Sequence, residues 1–312
     1  MNVDNRILLN KIEFYITNVC NLNCERCNRF NNHKFSGHQL WRDYADVYKQ
    51  WSQQVDINQI VILGGEPCLN PSLVDWVKGI NALWPRAVQI LTNGTRLNHI
   101  CDFYELFLGE QSAFPETRQH YIDSNRMRNW IGVSWHNAFD LDELDSEIRK
   151  FLRGDIRVIK GRDNNKFDAD MVWTDRNNVS VPVWVQDSFT DAAVRVIPGG
   201  FGLHNSIPED AHANCGFARN KNYHFIRGKL YKCGPVALFP EFDLQHKLDI
   251  SDQDRELLNS YQPLSIDEFD HRGVNFIDNL PNPIAQCKFC PVMPDYRKIV
   301  AIRKNKKLST FD

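Results

Sequence analysis

Three cysteines, Cys20, Cys24 and Cys27, fall within Thr17-Asn18-Val19-Cys20-Asn21-Leu22-Asn23-Cys24-Glu25-Arg26-Cys27, directly after an apolar stretch. Thiolates in a C-x3-C-x2-C run can hold three corners of a cubic iron–sulfur cluster and leave the fourth iron without a protein ligand. A cluster used only for electron transfer is usually given four cysteines. A missing fourth ligand leaves a coordination site for a small molecule, so the loop reads as a reaction centre. The alternative is a zinc knuckle or a group of buried thiols. Zinc usually takes four protein ligands, with short C-x2-4-C pairs recurring at a distance.

About forty residues further on, Gln59-Ile60-Val61-Ile62-Leu63 is followed by Gly64-Gly65-Glu66-Pro67. The short, branched apolar run predicts a buried parallel strand. Two glycines at its end let a ligand approach the backbone, and Glu66 offers a carboxylate to a positively charged group.

Further strands are predicted near Ile12–Thr17, Ala87–Thr92, Trp130–Trp135, Met171–Trp173 and Val179–Val185, with helices around Leu40–Gln53, Pro71–Leu83, Ile100–Leu108 and Asp140–Leu152. Alternation of this kind implies an α/β fold with parallel strands and right-handed crossovers. In barrels of such units the chemistry lies at the C-terminal ends of the strands, and the polar motifs fall there.

Four more cysteines follow. Cys215 and Cys233 flank Tyr223–Tyr231, a strand–turn–strand pattern with Gly228 at the turn. A hairpin brings its ends together, and Cys287-Lys288-Phe289-Cys290 supplies the other pair. Two thiolate pairs fit zinc or an iron–sulfur cluster about equally well.

With these motifs the chain resembles the radical S-adenosylmethionine (radical SAM) superfamily. The family's cluster loop is similar to Cys20, Cys24 and Cys27, and its "GGE" motif to Gly64, Gly65 and Glu66. The resemblance implies that the free iron chelates S-adenosylmethionine and that the glycine–glutamate motif binds the same amino group. It extends to Gln89–Thr95 and Trp130–His136, with Asn93 and Ser134 at positions that contact the methionine or ribose portion. Arg26 departs from the pattern, since an aromatic residue commonly precedes the third cysteine. The resemblance implies reductive cleavage of S-adenosylmethionine to a 5′-deoxyadenosyl radical that abstracts a substrate hydrogen, with the protein orienting the cofactor.

The order C-x12-G-x4-C, a gap, then C-x2-C is similar to the twitch domain, the shortened form of the SPASM domain of radical SAM enzymes. That implies one auxiliary [4Fe-4S] cluster on Cys215, Cys233, Cys287 and Cys290. The expected fold is therefore a partial (β/α)6 TIM-like barrel over residues 1–204. A C-terminal α+β auxiliary-cluster domain with a basic tail, Arg297–Lys307, follows over 205–312. With four cysteines on it, that cluster has no open iron and suits an electron acceptor.

The resemblance at this level is to twitch enzymes that oxidise an alcohol, such as 2-deoxy-scyllo-inosamine dehydrogenase. It implies a two-electron oxidation of a small molecule, with His136 a candidate base because imidazole titrates near neutrality. The rival within catalysis is modification of a ribosomally made peptide or a protein side chain. About eleven residues precede the first predicted strand, too few for an independent leader-binding domain. Outside catalysis the rivals are a non-catalytic iron–sulfur electron carrier and a zinc-stabilised binding module.

At 312 residues the chain can bury a core for a barrel and a smaller appendage. Nine cysteines with no signal-like or long apolar segment point to cytoplasmic metal binding rather than disulfides. A formal charge of −2 gives no field for nucleic acid. The expected partners are the substrate and a one-electron reductant such as flavodoxin or ferredoxin, with no nucleic acid and no membrane. Cys68 and Cys101 read as small buried hydrophobes, and the eight tryptophans as core filling. His33, Lys34 and His38 would face substrate or solvent, and the basic tail reads as a solvated end or a contact for an anionic substrate.

Overall fold

The computed structural model describes residues 6–24, 26–33, 35–108, 129–136, 140–161, 169–185, 188–189, 192–292, 297–298 and 303–304. Its strands are β1 (Ile7–Tyr15), β2 (Leu22–Asn23), β3 (Val55–Leu63), β4 (Val88–Thr92), β5 (Trp130–Trp135), β6 (Ile156–Lys160), β7 (Met171–Asp175) and β8 (Ser180–Val185). They continue with β9 (Ser188–Phe189), β10 (Val194–Ile197), β11 (Gly200–Leu203), β12 (Asn222–Ile226), β13 (Lys229–Tyr231), β14 (Arg297–Lys298) and β15 (Arg303–Lys304).

Nine strands form one sheet in the order β13-β12-β1-β3-β4-β5-β8-β7-β6. The six from β12 through β1, β3, β4 and β5 to β8 run parallel. β13 and the β8–β7–β6 meander are antiparallel. The result is a mixed α/β fold with a parallel-dominated sheet. Two expectations need correction. The strand at Met171 belongs to an antiparallel meander and not to a crossover unit, and the segment at Ile100–Leu108 is 3-10 helix over Leu97–Phe107. The hairpin between Cys215 and Cys233 is not separate from the sheet: β12 lies parallel to β1, with Phe14 opposite Phe225.

Both faces of the central strands are covered, as a parallel sheet requires. Alternate residues divide between two apolar cores. Phe14, Ile60, Ile62 and Phe225 enter one, while Tyr15, Val61, Leu63 and Ile226 enter the other. Helix α1 (Trp41–Gln54) covers the first face through Tyr44, Tyr48 and Trp51, a helical spacing. No side chain caps it at Leu40, but the Trp41 N–H donates to Ser72 Oγ, at the start of α2 (Leu73–Leu83). Trp51, Trp76 and Trp84 are fully buried. Each donates its indole N–H to a backbone carbonyl, of Gly228, Gln39 and Val55 respectively. Helix α3 (Leu141–Phe151) closes the far side through Leu144, Ile148 and Phe151.

The second core is built from the segment after Cys27, from β10 and β11, and from α6 (Gly234–His246), which follows α4 (Pro208–Ala213) and α5 (Gly216–Arg219). The tail differs from a free solvated end at the four residues described. Arg297–Lys298 pair with β9, and Arg303–Lys304 pair with Leu22–Asn23 of the first cysteine loop. The rest of Arg297–Lys307 lies outside the described residues, as do Lys34 and the side chain of Cys101. Among the described residues no helix is long and apolar enough to cross a membrane.

Candidate functional site

Strands β1 and β3 end side by side, Tyr15 opposite Leu63. The two chain segments that leave them must then pack together. Gly65 N–H donates to Thr17 O and Glu66 N–H to Val19 O, each at 2.8 Å. A Cβ on Gly64 would stand 2.5 Å from Thr17 O, and one on Gly65 would stand 2.3 Å from Val19 O. Glycine is needed at both positions so that the strand end can lie against the cysteine loop.

That loop and those glycines line one cavity of about 220 Å³. Cys20, Cys24 and Cys27 all border it, with Gly64, Gly65, Asn93 and His136. Arg26, Asn28, Asn31 and Asn32 border it too, and sequence reasoning did not assign them a place there. The run of asparagines after Cys27 was the available signal. Asn31 helps set the loop: its amide donates to Tyr15 Oη and Asn18 O, and Cys27 Sγ lies 3.8 Å from its Oδ1. The Leu22 N–H points at Cys20 Sγ from 3.4 Å, as it would toward a thiolate. Burial pushes the Cys20 thiol up, and Cys24 up to about 12, so both keep their protons until a cationic centre displaces them.

Glu66 does not border the cavity. It is fully buried, its Oε1 accepting from Cys68 N–H and the Thr92 hydroxyl, its Oε2 from Asn93 N–H. Burial raises its pKa and these donors work against the rise. The carboxylate therefore fixes the end of β4, where Asn93 begins. Asn93 in turn gives its amide to Asn21 Oδ1 and lies 4.0 Å from Cys20 Sγ. Ser134 is half-buried on β5 and is not among the residues bordering the cavity. His136 borders it, and burial lowers its pKa to about 4, so it is neutral at pH 7. Cys68 is buried beside Thr92, His38 is paired with Thr17, and His33 packs between Phe201 and Phe242. None of the three borders the cavity.

The other four cysteines border a second cavity that shares no residue with the first. Cys215 precedes α5, and Cys233 is the N-cap of α6. The Cys287–Cys290 loop is tied down by the Cys290 N–H to Cys287 O and by Ser206, which donates to Lys288 O and Cys290 O. Burial pushes Cys233 up to about 12 and Cys290 well above its ordinary value. The remaining walls are largely apolar, with Phe217 and Phe239 among them, and Lys232, His212, Gln286 and Tyr223 are the polar additions. Among the described residues no three His, Cys, Asp or Glu side chains converge as a single metal ion requires.

Residues 14–110 match the family model of the radical SAM superfamily. Two probable GTP 3′,8-cyclases of Saccharolobus islandicus, from strains Y.N.15.51 / Yellowstone #2 and L.S.2.15 / Lassen #1, are each 29% identical over 132 residues. The matched stretch is 42% of this chain and 41% of each relative, so the chain spans about two-fifths of the length of those relatives. Among solved structures, Streptococcus suis SuiB bound to S-adenosylmethionine aligns at 17% identity and TM-score 0.26, over 42% of this chain and 24% of that one. SuiB bound to its precursor peptide SuiA aligns at 16% and 0.29, over 46% and 37%.

Proposed function

From the premise that residues 14–110 are a radical SAM superfamily domain, we propose that this chain cleaves S-adenosylmethionine at the Cys20–Cys24–Cys27 loop and oxidises a small molecule by two electrons. On this reading the five parallel strands β1, β3, β4, β5 and β8 form the partial barrel of residues 1–204, and the sixth, β12, is added beside β1 by residues 205–312. Residues 205–312 serve as the twitch-like part that carries an auxiliary cluster. The observation that carries the reading is the division of seven cysteines between two cavities, three in one and four in the other.

The donor sets fit four-iron clusters in both places. A single zinc ion needs its ligands to converge on one point, whereas a four-iron cluster takes one thiolate per iron. Three cysteines beside a cavity lined by Gly64, Gly65 and Asn93 leave space for a ligand on the fourth iron. When bound, the cluster and S-adenosylmethionine supply the radical that removes a substrate hydrogen.

The chain's own residues have narrower tasks. Gly64 and Gly65 bring backbone to the cavity wall without side chains. Glu66 holds the Asn93 backbone so that the Asn93 amide stands between Asn21 and Cys20. His136 is the candidate base: burial keeps it neutral and able to accept a proton at pH 7, though it also makes it a weak base. Cys215, Cys233, Cys287 and Cys290 would hold an auxiliary cluster with no open iron, which would supply an acceptor for the second electron. A cytoplasmic location and a flavodoxin or ferredoxin as reductant belong to the same reading.

A second reading is radical cyclisation of a nucleotide, which the two cyclase relatives favour over the 132 matched residues. Anaerobically reconstituted chain, S-adenosylmethionine and dithionite test the common step, with Cys24→Ala as the control. 5′-Deoxyadenosine from the unaltered chain alone supports radical cleavage. Polyol or amino-sugar oxidation against GTP consumption then separates the two readings. Absence of 5′-deoxyadenosine with every candidate substrate, in cluster-loaded protein, contradicts both.

A further inference from the structure

Lys232 directly precedes Cys233 and borders the four-cysteine cavity. It is only 5% exposed. Its ammonium donates to the backbone carbonyls of Leu280 and Asn282, both of them neutral acceptors. Among the described residues it has no carboxylate within ion-pair distance. A buried cation without an anion is strongly disfavoured. Among the described residues the cavity wall contains no aspartate or glutamate, and it contains four cysteines.

Among the described residues no other lysine or arginine lines that wall. His212 borders it, with Nε2 lacking a partner, and burial together with the Lys232 charge lowers its pKa, so it is neutral at pH 7. A charge of one sign is thus built in, and the opposite charge is left to whatever the cysteines hold.

We infer that Lys232 is the fixed counter-charge of an anionic metal–thiolate centre on Cys215, Cys233, Cys287 and Cys290, and that it raises that centre's reduction potential. The inference rests on the auxiliary-cluster reading above. Reduction adds one electron to a centre that is already negative. A nearby positive charge in a low-dielectric wall favours the reduced form. The effect also suits an electron acceptor, and the two carbonyls keep the side chain from swinging to solvent.

The test uses the full chain with Cys20, Cys24 and Cys27 all changed to alanine, so that only the second centre is loaded. Iron and sulfide are counted after reconstitution, and the midpoint potential is measured by dithionite titration followed by electron paramagnetic resonance. Lys232→Met should retain iron and lower the potential by at least a tenfold change in the reduction equilibrium, about 59 mV for one electron. Lys232→Arg, which keeps the charge, should remain within about threefold of the parent, about 28 mV. Loss of iron from the Met variant with retention in the Arg variant also supports a charge role. If the Met variant does not fold by circular dichroism, Lys232→Gln takes its place.

Equal potentials in the Met and parent chains overturn the inference while leaving the cluster in place. So does loss of iron from both the Met and Arg variants with the fold intact, because the requirement is then for shape and not for charge. No iron in the parent chain overturns the auxiliary-cluster reading itself, and the inference with it.

Discussion

Phe30, three residues beyond Cys27, stacks on Phe239, six residues beyond Cys233, with ring centroids 5.7 Å apart and planes 22° from parallel. Phe239 also meets Phe289, between Cys287 and Cys290, edge-on at 6.2 Å. Phe30 reaches this position with a left-handed φ of 61°, uncommon for a bulky residue. A run of ring contacts, Phe30 to Phe239 to Phe289, therefore joins the segment after Cys27 to the Cys287–Cys290 loop.

Removing the middle ring should loosen both. Phe239→Ala should cost about 3–5 kcal/mol, the usual range for a buried aromatic. Phe30→Ala and Phe239→Ala together should be non-additive by about 0.5–3 kcal/mol. Denaturant unfolding of the two single variants and the double variant measures this. Strict additivity would mean that the rings touch without sharing a packing role.

A second connection is polar. Arg29 donates to Glu13 Oε2 at 2.5 Å, and His224 Nε2 lies 2.8 Å from the same oxygen. His224 Nδ1 has no partner, so the neutral tautomer with its proton on Nε2, donated to Glu13, leaves no donor of the imidazole unsatisfied. Burial alone would push the Glu13 carboxyl up. The charge of Arg29 and the bond from His224 outweigh it, and the carboxyl is held well below its ordinary 4.5. Burial in turn keeps His224 below its usual value. A depressed carboxyl contributes stability above its ordinary pKa and loses it as pH falls toward the folded value. Glu13→Gln should cost about 3–5 kcal/mol at pH 7, and the deficit should shrink steadily below about pH 4.5. Thermal melts from pH 7 to pH 3 report it. A deficit independent of pH would contradict the ionised state.

Close packing of the Gly-Gly pair on the cysteine loop predicts a position-specific defect. Gly65→Ala sets a methyl 2.3 Å from Val19 O and 2.9 Å from Cys20 Cβ. Overpacking of this kind costs about 1–3 kcal/mol, and iron at the first site should fall while the second site stays loaded. Gly200→Ala, with nothing within 4 Å of the new methyl, is the control. Equal iron in both variants would show that the loop adapts.

Glu66 points into the protein, and this separates two roles for it. Glu66→Gln turns one accepting oxygen into a donor opposite Thr92 and the N–H groups of Cys68 and Asn93. A cost of about 1–3 kcal/mol is expected, with weaker S-adenosylmethionine binding through the displaced Asn93. Calorimetric titration alongside unfolding checks both. Weaker binding with unchanged stability would instead indicate direct contact with the ligand.

Much of this was readable in the chain, and the reasons for the remainder are physical. Apolar runs with sharp polar ends located β3, β4 and β5, because a buried parallel strand must be apolar on both faces. The helix-like stretch around Leu40–Gln53 located α1, whose Tyr44, Tyr48 and Trp51 turn to the core at a helical spacing. Strand direction at Met171–Asp175 was not readable, since alternation is the same in parallel and antiparallel pairs. β6, whose side chains are exposed or half-buried, has too weak a pattern to register. The Leu97–Phe107 segment keeps a helix-like apolar pattern that does not separate i→i+3 from i→i+4 bonding. Cysteine spacing gave the membership of each group. It gave neither the inward turn of Glu66 nor the place of Lys232, because burial of one charged side chain depends on neighbours far along the chain.

Iron and acid-labile sulfide, counted on three reconstituted chains, test the central claim most directly. The unaltered chain should carry about eight irons, as two four-iron clusters require. The Cys20/Cys24/Cys27→Ala chain and the Cys215/Cys233/Cys287/Cys290→Ala chain should each carry about four. Zinc in place of iron at the four-cysteine site, or no more than about four irons in the unaltered chain, would contradict the account.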